Sequence, residues 1–226
     1  MIAPASRVNR SDVERIVRDV ITRRFRELTG PATGGPELVV NISARHMHIT
    51  QEHLEVLFGP GTELTVMKPL YQTGEFASEQ TVTLIGPRHR MIPNFRILGP
   101  CRTHTQVELA FTDAIAVGID VPVRMSGNID GTPGCLILGP KGHLALEQGV
   151  IRAQRHVHLN PQEATYFGVK NGDAMRLIVE HPTCGVSIEG IIARIKEGLK
   201  CEVHVDTDEG NACDLPHATK VQLVKA

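Results

Sequence analysis

Two stretches of the chain repeat one another 110 residues apart: Ser43-Ala44-Arg45-His46-Met47-His48-Ile49-Thr50 and Ala153-Gln154-Arg155-His156-Val157-His158-Leu159-Asn160. Both read Arg-His-apolar-His-apolar, and both continue through a short helix-like segment to Phe-Gly, at Phe58-Gly59 and Phe167-Gly168. Such self-similarity marks one supersecondary unit present twice. Side chains on a β-strand alternate between faces, so the two histidines of each His-x-His share a face and the middle residue, Met47 or Val157, turns to the other. Two imidazoles on one face form half of a zinc shell. A single His-x-His in a strand is most often a surface pair or a polar pair satisfied within the protein. Two copies favour metal, because solvent-exposed decoration gives no reason for both to keep the same ligands.

The chain has 226 residues, 41% of them hydrophobic, enough for a real core in one large domain or two small ones. A formal net charge of −1 and a sequence pI near 6.8 offer no basic surplus for a nucleic-acid backbone. No apolar run approaches the roughly 20 residues that span a bilayer, and the first residues lack the apolar region of a secretory signal, so an intracellular protein is expected. The five cysteines (Cys101, Cys135, Cys184, Cys201, Cys213) are odd in number and never spaced Cys-x-x-Cys. They are expected as reduced thiols rather than disulfides or zinc-finger ligands.

Residues 1–36 stand apart. Ser11-Asp12-Val13-Glu14 fits a capping box, and Val13, Ile16, Val17, Val20, Ile21, Phe25 and Leu28 fall on one helical stripe, with Arg15, Arg18, Arg23, Arg24 and Arg26 on the other face. The Gly/Pro-rich stretch from Thr29 to Pro36 then reads as a linker. A tethered amphipathic helix either folds back on the core, lies on a membrane or docks in a partner's groove, and the loose joint favours docking.

From Glu37 onward the pattern is β-rich: Leu38–Ile42, Thr81–Ile85, Arg96–Leu98, Leu136–Leu138, Met175–Glu180, Gly190–Ile195, Cys201–Val205 and Lys220–Val224 read as strands, several ending at Gly-Pro or His-Pro. Strands at this spacing with few long helical patterns predict a mainly β fold of two small β-barrel domains related by duplication. Short helices are expected after each histidine pair, Gln51–Phe58 capped by Thr50 and Pro161–Phe167 capped by Asn160.

Other segments carry candidate chemistry. His204 lies in a strand two residues before Asp206, and the acidic run Asp206–Asn211 reads as a hairpin turn or a ligand-bearing loop. Alternation would put Arg102, His104, Gln106 and Glu108 on one strand face, a polar wall if that face is covered. Residues 124–134, with Arg124, Ser126 and three glycines, read as an anion-holding loop or a long turn. No Walker loop or dinucleotide fingerprint is present.

In order along the chain, Ser43-x-Arg45-His46-x-His48, Arg102-x-x-Thr105-Gln106-Val107-Glu108, Phe111-Thr112-Asp113, Pro122-Val123-Arg124-x-Ser126-Gly127, Gly131-Thr132-Pro133-Gly134, Arg155-His156-Val157-His158 and His204-x-Asp206-Thr207-Asp208-Glu209-x-Asn211-Ala212 resemble the PduL-type phosphotransacylases, or phosphate propanoyltransferases. The likeness runs from about Val39 to the end. It implies two interleaved β-barrels, residues 37–46 with 155–226 and residues 47–154, the first strand pairing with the C-terminal half. It further implies two metal ions, usually zinc, and interconversion of acyl-CoA plus phosphate with acyl phosphate plus CoA. Carried over by position, His46, His48 and Glu108 would hold one ion and His156, His158 and His204 the other. Arg102 would hold phosphate, with Ser126 as a helper; Arg102 and Glu108 would be catalytic, and Ser43 would touch CoA. In such a family the N-terminal helix resembles an encapsulation peptide, implying a place in a bacterial microcompartment that degrades a compound such as 1,2-propanediol, contacts with shell or core proteins, and self-association into a homo-oligomer.

Direct attack of phosphate on the thioester is expected, since no Ser-His-Asp order or nucleophile elbow supports an acyl-enzyme. Cys101 is the rival nucleophile, because the neighbouring Arg102 could lower its pKa. Two other classes compete: a zinc hydrolase and a non-catalytic metal-binding assembly protein.

Overall fold

Alternation along the two His-x-His segments decides what lies beneath them. In the computed structural model, which describes residues 35–226, Met47 and Val157 are completely buried, each in a separate hydrophobic core. Burying a side chain of this size contributes about 1.5–3 kcal/mol, which fixes the strand register and turns the flanking histidines to the opposite face. The amphipathic helix expected between Ser11 and Leu28 lies outside the described residues. No described helix is long and apolar enough to cross a membrane.

The fold is mainly β. Along the chain come β1 (Val39–Ser43), β2 (His46–His48), α1 (Gln51–Phe58), β3 (Val66–Pro69), β4 (Phe76–Ile85), β5 (Met91–Gly99), β6 (Gln106–Glu108) and α2 (Phe111–Val117). Then follow β7 (Val123–Arg124), β8 (Cys135–Leu138), β9 (His143–Leu146), β10 (Val150–Ala153), β11 (His156–Leu159), α3 (Pro161–Phe167), β12 (Ala174–Glu180), β13 (Val186–Ile195), β14 (Glu202–Asp206), α4 (Thr207–Ala212) and β15 (Lys220–Lys225). They form two curled, barrel-like sheets. One is ordered β1-β14-β11-β13-β12-β15; the other is ordered β7-β10-β6-β2-β5-β4-β8-β9, with β3 added on β4. Each strand expected from the sequence falls within or overlaps one of these.

The duplication is visible in the pairing. β2 runs antiparallel to β6 with His46 opposite Glu108 and His48 opposite Gln106; β11 runs antiparallel to β14 with His156 opposite His204 and His158 opposite Glu202. Glu108 and His204 therefore occupy corresponding places, as do Gln106 and Glu202. The strand before each His-x-His is exchanged: β1 pairs in parallel with β14, and β10 pairs in parallel with β6. The chain thus crosses from one sheet to the other at Ala44-Arg45 and crosses back at Gln154-Arg155.

Helix placement follows local chemistry. Thr50 caps α1 by accepting from the His53 amide, and Asn160 caps α3 in a reciprocal capping box with Glu163, Pro161 taking the first turn. Gly168 ends α3 in the left-handed conformation at φ 65°, which costs glycine nothing. The sequence reading missed α2, and it took the acidic run after Asp206 for a turn or ligand loop. That run is α4, with Asp206 as N-cap boxed to Glu209. Both helices begin just beyond a candidate ligand, α2 after Glu108 and α4 after His204. Matching ion pairs tie them to the crossovers: Arg45 meets Asp113 at 2.7 Å, and Arg155 meets Glu209 at 3.0 Å. Arg152 of β10 adds a link between sheets, its guanidinium reaching Asp206 and Glu209 while stacking 4.5 Å over the Phe111 ring.

Candidate metal centre

Because His46 and His156 open their strands directly after the crossovers, the crossovers orient them. His46 Nδ1 lies 2.8 Å from the Ala44 carbonyl, and His156 Nδ1 lies 2.9 Å from the Gln154 carbonyl. A carbonyl only accepts, so each ring carries its proton on Nδ1 and keeps the Nε2 lone pair free. His46 Nε2 then stands 3.5 Å from one Glu108 oxygen, and His48 Nε2 3.7 Å from the other. In the second copy the His156 and His204 rings stack at 4.8 Å, and His158 is 4.9 Å from each. Two trios result, His46/His48/Glu108 and His156/His158/His204, each with ligand atoms within 4.8 Å of one another.

These residues fit divalent cations. Among the described residues, the buried side-chain polar atoms without a hydrogen-bond partner are His48 Nδ1, His158 Nδ1 and His204 Nε2, all inside the trios. Leaving a buried polar atom unpaired costs about 1–3 kcal/mol; His204 Nε2 faces Glu202 Oε2 at 3.1 Å, so the Nδ1 atoms of His48 and His158, one in each cluster, point to a missing partner. Burial first, then the neighbouring His46, lowers the His48 pKa to about 2. Burial with the adjacent His204 takes His156 to about 3 and His158 to about 2. All three stay neutral at physiological pH, the form in which imidazole binds a metal.

Arginines border both trios. Arg102 acts electrostatically on His48 and on His158, and Glu108 acts on His156, so the trios share one environment. Arg102 bonds Glu75 at 3.1 Å. The side chain of Arg194, on β13 in register with His158, makes no hydrogen bond or ion pair among the described residues. Burial, then the charge of Arg102, lowers its pKa. Two guanidiniums that repel one another beside six potential ligands make a site suited to an anion. A cleft of about 490 Å³ opens here between Gln72, Thr73 and Glu75 on one side and residues 196–199 on the other, with His158 in its wall.

Comparison with known proteins gives the family. A family model described as phosphate propanoyltransferase matches residues 39–216. The chain belongs to the phosphate propanoyltransferase family. A phosphate propanoyltransferase of Planctopirus limnophila is 55% identical over 98% of this chain and 93% of its own length. One of Thermotoga maritima is 43% identical over 93% of this chain and all of its own, and one of Salmonella typhimurium is 42% identical over 79% and 85%.

Of the residues singled out in the sequence, the structure brings His46, His48 and Glu108 together, and likewise His156, His158 and His204. Ser126 lies beside the first trio, its Oγ 2.9 Å from Gln106 Nε2, which also donates to Glu108 at 2.6 Å. Ser43 Oγ is 3.1 Å from His204 Nδ1. Strand alternation from Arg102 to Glu108 does not hold, because only Gln106–Glu108 is strand; Arg102 precedes it in a loop, anchored by its amide to the Ile49 carbonyl at 2.8 Å. Cys101 is not activated by its neighbour either. Its thiol meets only Gln51 Oε1 at 3.5 Å, and burial moves its pKa upward. Sequence reading missed Arg194, Gln106 in its hydrogen-bonding role, and Glu202. The signal for Arg194 was a single charge interrupting the apolar strand Gly190-Ile191-Ile192-Ala193-Arg194-Ile195.

Proposed function

We propose that the protein transfers an acyl group, propanoyl by the name its relatives carry, between CoA and inorganic phosphate, using two divalent ions held by the two trios. The observation that carries this reading is the pair of three-ligand clusters with partnerless buried nitrogens, set beside two guanidiniums. Zinc is the ion expected, since three nitrogen or oxygen ligands leave a position open for substrate. When bound, such ions supply Lewis acidity, which stabilises a thiolate leaving group and a developing oxyanion.

The chain's own side chains do the rest. Arg102 and Arg194 bind the phosphate dianion and orient one oxygen toward the thioester carbonyl; Glu75, more than a third exposed, yields its place on Arg102 at small cost. Ser126 adds a hydroxyl donor. Glu108, held by Gln106, keeps its two oxygens toward His46 and His48. Ser43, at the end of β1 beside His204, is placed for CoA contact. The phosphate oxygen bonds to the acyl carbon, the carbon–sulfur bond breaks, and CoA leaves as the thiolate. The upward-shifted Cys101 thiol supports direct attack over an acyl-enzyme.

Residues 1–36 would recruit the enzyme to a bacterial microcompartment through a shell or core protein and drive self-association. Deleting residues 1–33 should then abolish recruitment and change the size distribution.

The test of the reaction is thiol release from propanoyl-CoA by purified, metal-analysed protein with and without phosphate. Phosphate-dependent release with about two ions per chain is expected. Phosphate-independent release would identify a hydrolase, and no release a non-catalytic metal-binding protein.

A further inference from the structure

Each trio is built from a His-x-His facing a third ligand, and each third ligand has a buried neighbour two residues earlier on its strand. In the first copy that neighbour is Gln106, whose Nε2 donates to the ligand Glu108 at 2.6 Å. In the second copy the ligand is His204 and the neighbour is Glu202, whose Oε2 is 3.1 Å from His204 Nε2, which leaves Nδ1 as the ring nitrogen for an ion. The register makes the two positions equivalent, Gln106 opposite His48 and Glu202 opposite His158. The chemistry has been exchanged between them. Where the ligand is a carboxylate the neighbour is a donating amide, and where the ligand is an imidazole the neighbour is an accepting carboxylate.

Glu202 is itself built in. It is 2% exposed, accepts from Gln72 Nε2 at 2.8 Å and from Asn41 Nδ2 at 3.2 Å, and so has both oxygens held. Asn41 comes from the exchanged strand β1 and Gln72 from the loop at the cleft, where it also clasps the Lys200 backbone at 3.0 and 3.1 Å. A buried carboxylate held this rigidly is costly unless it meets a positive charge. A carboxylate behind a metal-binding histidine fixes the ring and makes it a stronger ligand.

We infer that Glu202 is a positioning residue of the His156/His158/His204 site, supplying through His204 the one negative charge that Glu108 supplies directly to the other site. This rests on the two-ion reading above.

The test is zinc titration of full-length protein first stripped by a chelator, against a chromophoric competitor, for wild type, Glu202→Gln, Glu202→Asp and His204→Ala. Wild type should bind two zinc ions and His204→Ala one. Glu202→Gln should hold one ion as wild type does and the other about 10- to 100-fold more weakly, the range for loss of a partner behind a ligand. Glu202→Asp, which keeps the charge, should recover part of that loss. A purely structural role would lower the melting temperature of the ion-free protein without changing the ratio of the two affinities. Two ions in wild type, one in His204→Ala and an unchanged ratio in Glu202→Gln would overturn the inference while leaving the metal site standing. Fewer than two ions in wild type would overturn both. If Glu202→Gln does not fold, the ratio in Glu202→Asp decides: lowered supports the inference, unchanged overturns it.

Discussion

Replacing Arg194 by methionine should damage the reaction and leave the fold intact or firmer. The side chain is half-buried, has no partner among the described residues, and has its pKa lowered by burial and by Arg102. Its charged form is therefore less favourable in the folded protein than in the unfolded chain, and a methionine of similar length removes that penalty, so stability should hold or rise. Phosphate binding moves the other way. A hydrogen bond to a charged group contributes about 1.5–3 kcal/mol, and at about 1.4 kcal/mol per tenfold this predicts a roughly 10- to 150-fold fall in kcat/KM for phosphate. KM for acyl-CoA should change less than about twofold. Arg194→Lys should lie between, keeping charge but losing the two-pronged geometry. The assay is thiol release at saturating propanoyl-CoA across a phosphate series, beside thermal melts of the same preparations. An unchanged phosphate KM, or a melting temperature lowered by more than about 5 °C, would refute the reasoning, the first by removing Arg194 from the anion site and the second by giving it a structural role.

Arg152→Met should cost about 3 kcal/mol, since it strips the cation from Asp206 and Glu209, whose side chains are only 10% and 11% exposed, while Arg155 still reaches Glu209. Denaturant unfolding measures this, and a loss below about 1 kcal/mol would show the pair to be incidental. The metal-free protein should lose stability as pH falls: His48, His156 and His158 protonate near 6.5 when unfolded but only at about 2 to 3 when folded, so the unfolded chain takes up more protons below pH 6.5. Three such groups give at most about 4 kcal/mol between pH 7 and 5.5, with a plateau above pH 7; a flat profile in denaturant melts would contradict it. Cys101→Ala should keep phosphate-dependent turnover, and its abolition with both ions still bound would favour an acyl-enzyme.

The parts of the fold that depend on local pattern were legible in the sequence. Thr50 and Asn160 announced their helices because capping is a matter of three or four consecutive residues. The His-x-His pairs announced a shared ligand face because alternation has a period of two. Long-range pairing was not legible from pattern. Nothing local ties Val39–Ser43 to Glu202–Asp206, and the resemblance supplied that expectation. Glu202, taken alone, is one more acid before a histidine; only the register opposite His158 and the approach of Gln72 reveal its surroundings. The acidic run after it misled because Asp and Glu favour turns and helix N-termini alike, and the capping box between Asp206 and Glu209 decided for helix.

The strand exchange explains why the site lies where it does. A strand in the middle of a sheet needs partners on both sides, and β6 and β14 each take one partner from their own copy and one from the other. The topology is that of a strand-swapped pair fused into one chain. Because each exchanged strand runs straight into its His-x-His, the crossover residues become the ones whose carbonyls orient His46 and His156. Seam and site are thus one structure: the ion pairs that hold the copies together, Arg152 with Asp206 and Glu209, bear on the same α4 that follows His204. The copies differ where the chemistry requires it, with Glu108 against His204 as ligands and Gln106 against Glu202 beside them. A duplicated scaffold that kept identical sites would offer two equal ions, whereas on the proposed two-ion reading these substitutions would give one ion an oxygen ligand and the other three nitrogens, a difference suited to the proposed transfer, which must handle an anionic oxygen nucleophile and a sulfur leaving group at once.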